Sequence, residues 1–315
     1  MNKSIKYLFL IVVFGICTSI FAQGKLDQGI PKTLSIDGQT LSTNYQLILS
    51  NNKEKVVALK SLLKKADELV NEAIVYSVMD KKQTPPSGDK HDYMSTGPYW
   101  WPDPTKPDGL PYIKKDGLRN PTYYDISDSQ EIDKVEDATL SLALAYYFTK
   151  EAKYANFTSK LLKVWFINPE TRQNPHLNFA QGIPGLSSGR GTGLIETRDI
   201  YRILDAAILI QNSPNWSKED HKSLKNWFSD YLTWMLESPI GQDEAKAKNN
   251  HGTFYSEQVI AMALFIVSTL LGGINYITTI INLRTKGMSF LKLPLTIWSF
   301  FLTAIIGLLS FPVLL

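Results

Sequence analysis

Apolar residues recur at helical spacing along most of this chain. Val56, Leu59, Leu62, Leu63, Ala66, Leu69, Val70 and Ala73 alternate with lysines and acids, which predicts an amphipathic helix within 52–80. The same period predicts helices over 130–150, 152–166, 194–211 and 217–236. Ser217-Lys-Glu-Asp supplies the last of these with an N-cap and first-turn acids. Another helix should open at Asn250, because asparagine caps well and an apolar run follows at 259–266. Residues 24–51 read as a polar lead-in with weak strand or loop character, and no convincing strand pattern appears between the helices. Paired helices with connecting loops predict an all-α fold, an α/α barrel or toroid whose site residues lie in the loops.

Two segments break the helical pattern. Residues 83–122 hold half of the chain's 16 prolines, together with Tyr93, Tyr99, Trp100, Trp101 and Tyr112. A loop of this length inside a compact domain is usually functional or disordered, and disordered segments are poor in aromatics. The prediction is therefore an ordered loop that lines a groove, where flat indoles suit the apolar faces of sugar rings. The competing reading is that Trp100 or Trp101 only pins the loop to the core. The second segment, 168–193, is rich in Gly and Pro and carries His176, Asn178, Gln181 and Arg190, with Glu196 at its exit. Its Ser188-Gly-Arg-Gly-Thr-Gly run lacks the Lys-Ser/Thr ending of a phosphate loop, so no nucleotide site is expected.

Composition narrows the class. With 44% hydrophobic and 20% charged residues, the 315-residue chain is ordinarily globular. Its net charge of +3 is uneven. Setting aside Lys3, Lys6, Arg284, Lys286 and Lys292 at the two ends leaves a slightly acidic body, with no electrostatic case for nucleic acid. Residues 1–22 have the form of a secretory signal: Lys3 and Lys6, a short apolar core, and a cleavage site after Ala22. Cys17, the sole cysteine, lies inside it, so neither disulfides nor thiol chemistry is expected afterwards. A periplasmic or secreted protein is the expectation.

Candidate chemistry centres on Asn249-Asn250-His251-Gly252-Thr253. A helix N-terminus presents free N–H groups and partial positive charge. Asparagine adds neutral donors and histidine a titratable one, so the group could hold and neutralise a carboxylate. The bland alternative is a capped helix with one ordinary polar histidine. His176 and His251 lack the close spacing of a metal motif, and no metal or other cofactor is expected. A glycoside hydrolase would need two facing carboxylates; Glu196, Asp199 and Glu257 are candidates, but no pair stands out.

Asn174-Pro-His-Leu-Asn-Phe-Ala-Gln-Gly-Ile-Pro-Gly, the following Gly189-Arg190-Gly191, and the Asn249–Thr253 motif resemble the alginate lyase superfamily, over roughly 66–266. The resemblance implies a secreted polysaccharide lyase with an α/α toroid that cleaves uronic-acid polymers by β-elimination. It implies that Asn250 and His251 are catalytic and sit on the uronate carboxyl group. Tyr99, Trp100 and Trp101 from the aromatic loop, with Asn174, His176, Asn178, Gln181 and Arg190, are the expected substrate contacts. Tyr255, four residues after His251, joins them as a contact rather than as the acid. The family's catalytic tyrosine lies on a later helix, preceded by an arginine; here no tyrosine follows Tyr276. The chain then reads as a truncated lyase that lacks this catalytic segment, with an inactive lyase, a glycoside hydrolase or a non-catalytic carbohydrate-binding remnant as alternatives. The implied partner is an anionic uronate polysaccharide or oligosaccharide.

From residue 267 the composition changes. Residues 267–315 contain no acid and no histidine, and hold two apolar stretches, 267–283 and 293–315, each expected to cross a membrane. Leu270-Leu-Gly-Gly-Ile-Asn-Tyr-Ile-Thr-Thr-Ile-Ile-Asn-Leu-Arg284, Gly287-Met288 and Pro294-Leu-Thr-Ile-Trp-Ser299 resemble two transmembrane helices of haem-copper cytochrome oxidase subunit I, without its metal-binding histidines. The expected organisation is a signal peptide at 1–22, a truncated lyase domain at 23–266 and an oxidase-like tail at 267–315. Two families meeting inside a helix point to a chimeric reading frame, since natural fusions join at exposed linkers. The alternative is a genuine membrane anchor.

Overall fold

A computed structural model of the chain describes residues 30–282, with side chains as far as Ile266, and the isolated positions Ile297 and Leu302. The signal segment 1–22 and nearly all of the stretch 293–315 lie outside the described residues.

The described chain is mostly helical. Helix α1, Gly38–Leu49, occupies the segment expected to be strand or loop; the Asp37 carboxylate caps it by accepting from the backbone N–H groups of Gln39 and Thr40. Its glycine start and its Thr, Ser, Asn and Gln content hide the helical period. Helix α2, Lys53–Glu72, is capped by Asn52 and ends at Ala73 in a left-handed conformation, with φ 53°. Helix α3, Asp128–Thr149, is the centre of the fold. It buries residues around most of its circumference, from Asp128 and Ile132 to Ala145 and Tyr147, as a helix enclosed by others must. It packs against α2, against α4 (Ala152–Leu162) and against α5 (Tyr201–Leu209). One π-turn, Lys163–Ile167, extends α4.

The helix expected over 194–211 is split. A 3-10 turn, Gly191–Thr197, precedes α5, and a Cβ at Gly193 would lie 2.5 Å from that of Ala180. Only glycine allows the turn to approach the neighbouring strand so closely. Helix α6, Lys218–Glu237, has the expected capping box between Ser217 and Asp220. Short α7, Pro239–Ala245, turns the chain into α8, Asn250–Asn282. Phe166, Trp227, Phe228 and Tyr231 interlock in the core, with Phe166 edge-on to Trp227 at 4.7 Å, and Phe228 meets Phe265 of α8 at 5.9 Å.

Four short strands, unforeseen from sequence, hold the site loops. β1, Met94–Thr96, pairs in parallel with β4, Phe179–Gly182; β2, Trp100–Trp101, pairs antiparallel with β3, Ile113–Lys114. Strands of two to four residues are too short to show an alternating period. The β1–β4 pair ties the aromatic loop 83–122 to the 168–193 segment, and the β2–β3 pair closes that loop on itself.

The expected pair of transmembrane helices is not supported. Among the described residues no helix is long and apolar enough to cross a membrane. The first apolar stretch forms the end of α8, which runs unbroken through the composition change at Ile266 to Asn282.

Candidate active site

The site is built from the start of α8 upward. The Asn249 side chain accepts from the His251 backbone N–H at 3.0 Å, so Asn249 is the cap and Asn250 the first helical residue. A Cβ at Gly252 would lie 2.1 Å from the Ala247 carbonyl oxygen, which reserves that position for glycine. His251 Nδ1 lies 2.6 Å from Glu244 Oε1, on the buried face of α7. A carboxylate can only accept, so Nδ1 carries the proton and Nε2 of the neutral ring carries the lone pair. Glu244 is invisible to periodic sequence reasoning because it belongs to a different, very short helix.

Across from this helix start stands a wall of loops. A cavity of about 460 Å³ is lined by Tyr99, Trp100, Gln181, Arg190, Asn250 and His251, six residues that the sequence singles out. Lys114, Arg119, Tyr123, Thr192, Glu196 and Arg198 complete the polar lining, with Asp116. The cations outnumber the carboxylates, which suits an anionic ligand. Arg190 donates from Nε to the Gln181 carbonyl oxygen at 3.1 Å and from a terminal nitrogen to Gln181 Oε1 at 2.7 Å. Its guanidinium lies 5.9 Å from the Trp100 ring. A guanidinium has five N–H donors, so this clamp leaves others for a ligand. Gln181 itself is held at φ 49°, with its N–H donating to Ser95 Oγ at 2.7 Å. Lys114, Lys115 and Arg119, a basic run inside the aromatic loop, are the sequence signal that would have extended the candidate set.

Glu196 sits buried against this clamp. Its Oε2 accepts from the Tyr93 hydroxyl at 2.8 Å and the Ser95 hydroxyl at 2.6 Å. Burial pushes its carboxyl up to about 7. The folded state therefore holds a proton that the unfolded chain, with an ordinary glutamate, gives up at lower pH. Glu196 contributes stability that is complete below the unfolded value and is lost as pH rises through about 7. Glu196→Gln keeps an acceptor for both hydroxyls and removes the titration. It should raise stability at pH 8 by roughly 1–3 kcal/mol and leave it nearly unchanged at pH 4, read from urea midpoints. The same pH dependence in both proteins would refute this.

The remaining expected contacts lie elsewhere. Neighbouring residues of a strand face opposite ways, so Trp101 turns from the cavity that Trp100 enters; its Nε1 donates to the Leu118 carbonyl oxygen at 2.9 Å. Asn174 donates to Asp89 and Asp92 at 2.9 and 2.6 Å, and His176 Nε2 lies 3.1 Å from Asp92. Asn178 accepts from Trp234 Nε1 at 2.9 Å. These three form a polar cluster of their own that is not part of the cavity lining. Tyr255 is buried and donates to the Met235 carbonyl oxygen at 2.9 Å, tying α8 to α6. His176 and His251 each engage a different carboxylate, and among the described residues no group of three or more potential ligands could hold a metal. Of the hydrolase candidates, Glu196 lines the cavity, Asp199 binds the Tyr201 hydroxyl at 2.9 Å, and Glu257 is exposed.

Comparison with known proteins matches overlapping parts of the chain to two families. The profile described as "Cytochrome C and Quinol oxidase polypeptide I" matches residues 227–315. The alternative cytochrome c oxidase subunit 1 of Bradyrhizobium diazoefficiens is 43% identical over 54 residues, 17% of this chain and 9% of that protein. Cytochrome c oxidase subunit 1 of Eremothecium gossypii is 36% identical over 81 residues, 26% of this chain and 14% of that protein. The chain thus spans only a small part of these oxidase relatives. A crystal structure of an alginate lyase from Bacteroides ovatus superposes with a TM-score of 0.72 and 39% identity, covering 79% of this chain and 65% of that one. The profile described as "Alginate lyase" matches residues 77–269, more than half of the sequence and every element that lines the cavity. The chain belongs to the alginate lyase family.

Proposed function

We propose that this protein is a secreted polysaccharide lyase that cleaves a uronic-acid polymer such as alginate by β-elimination, on the α/α toroid of its family. The observation that carries this reading is the placement of Asn250 and His251, at the N-terminus of α8, in one cavity with Arg190 and Trp100. The proton on C5 of a uronate is too weakly acidic to remove until the adjacent carboxylate is neutralised. The helix start, the Asn250 amide and the Arg190 guanidinium supply donors fixed in advance around the developing enolate-like charge. With Glu244 holding Nδ1–H, Nε2 of His251 is the base that takes the C5 proton. Trp100 offers a flat face to the sugar ring. Asn250 and His251 are the catalytic residues in this reading, and Tyr99, Trp100, Gln181 and Arg190 bind substrate. No metal or cofactor takes part in these steps.

Residues 1–22 would serve as the export signal and 23–266 as the lyase domain. The full chain, incubated with alginate and with other polyuronates, should yield products carrying the absorbance of a new C4–C5 double bond. Reducing ends without that absorbance would favour hydrolysis, and binding without any product would favour a carbohydrate-binding remnant. The oxidase-like tail at 267–315 is read as the product of a chimeric frame joined near Ile266. DNA reads of single molecules should fail to span that junction; reads that cross it repeatedly would make the fusion genuine.

A further inference from the structure

An elimination needs a proton donor for the departing C4 oxygen as well as a base for C5–H. We propose that Tyr123 is that donor, an assignment that rests on the lyase reading above. The cavity offers Glu196, Lys114, Tyr99 and Tyr123 as groups able to give up a proton. Glu196 is excluded by geometry: Oε2 is bound by two hydroxyls, and Oε1 is buried from solvent. Lys114 is a solvated surface ammonium paired with Asp116 at 3.5 Å.

Tyr123, in contrast, is built into place. It lies on the 3-10 turn Pro121–Asp125, whose cap, Asn120, accepts from the Thr122 N–H at 3.1 Å. The Asn120 side chain donates to the Trp100 carbonyl oxygen at 2.8 Å, and its backbone N–H to that of Pro98 at 2.7 Å. One buried asparagine thereby fixes the tyrosine turn against the strand that carries Trp100. The Arg119 guanidinium lies 5.1 Å from the Tyr123 ring, and Tyr124 packs edge-on to it at 5.2 Å. A cation over the ring favours the phenolate that forms as the proton leaves. Burial, with the nearby Glu196 carboxylate, pushes the phenol up to about 12 against an opposing hydrogen bond with Ser129, so the proton is retained at neutral pH until a strongly basic alkoxide develops beside it.

In the step itself, the C5–H bond breaks and His251 Nε2 takes the proton. The electron pair becomes the C4–C5 double bond. The C4–O bond breaks, and its oxygen takes the Tyr123 proton and leaves as a hydroxyl. Solvent then reprotonates the tyrosinate and deprotonates the imidazolium.

The test compares two substrates on the full chain: an oligouronate, and a uronide carrying 4-nitrophenoxide at C4, which departs without a proton. Tyr123→Phe should lose ~100-fold or more in turnover on the oligouronate, keep its Kd within about twofold, and stay within about threefold of the unaltered chain on the aryl substrate. Equal losses on both substrates, or no loss, would overturn the assignment. Tyr99→Phe should show no such restoration on the aryl substrate; restoration there would transfer the role to Tyr99. If the unaltered chain releases product only from the aryl substrate, the lyase reading stands and the donor is absent. If it forms no unsaturated product from either, both proposals fall.

Discussion

His251→Ala should reduce turnover on a polyuronate by about 10²–10⁴-fold, the usual contribution of a positioned base, while the far-ultraviolet spectrum stays close to that of the unaltered chain and the thermal midpoint falls, because the buried Glu244 carboxylate loses its imidazole partner. The fold should survive that loss, because the His251 side chain keeps part of its surface open and the helix start is held by Asn249 and Gly252, not by the imidazole. Glu244→Gln is the sharper companion. The amide is the same size as the carboxylate, yet it can donate to Nδ1 and so move the ring proton to Nε2, where the lone pair is needed. It should therefore lose turnover by a comparable factor with substrate binding retained. If His251→Ala turned over normally, the imidazole would leave the mechanism. If Glu244→Gln alone were fully active, His251 would act as a hydrogen-bond donor and not as the base.

How much of this could be read beforehand depends on the length scale of each signal. Long amphipathic helices such as α2 and α6 declare themselves through many repeats of one period, α3 through its length and its dense apolar run, and the Ser217 capping box marks a start unaided. Helix α1 does not, because its solvent-facing composition is polar nearly throughout. The strands are below the length at which alternation carries information, yet β2 decides which of two adjacent indoles meets the cavity. The Asn250–His251 motif is local and was legible. Its partner Glu244, and the pairing of Gln181 with Arg190 and Ser95, depend on how a turn and a strand meet in space. The Asn174–His176–Asn178 stretch shows another limit: the sequence marks it as a polar loop, but the bonds these residues make to Asp89, Asp92 and Trp234, and their place outside the cavity lining, depend on the fold.

Lys81→Met should destabilise the protein by about 3–5 kcal/mol at pH 8, because it removes one partner of a fully enclosed ion pair. Lys81 Nζ lies 3.0 Å from Asp128 Oδ2, and neither side chain has any exposed surface. Burial raises the Asp128 carboxyl to about 6 even with the ammonium beside it. Without Lys81, that carboxyl is left with the Met94 N–H, at 2.9 Å, and its folded-state proton affinity must rise further. The variant is then penalised above that raised value, where the buried group must ionise, and relieved below it. The deficit should be clearly smaller at pH 5 than at pH 8, and Lys81→Met with Asp128→Asn should recover much of the pH 8 loss. Equal losses at both pH values, unrelieved by the second substitution, would mean that the lysine acts through its other two bonds, to the Val78 carbonyl oxygen and to that of Lys90 at 2.8 Å. The consequence reaches the site, because Met94 opens β1 and β1 carries Ser95, which holds Gln181 and Glu196. A loosened β1 frees the glutamine that orients Arg190, so the single variant should also raise KM for a polyuronate, and the double variant should bring it back.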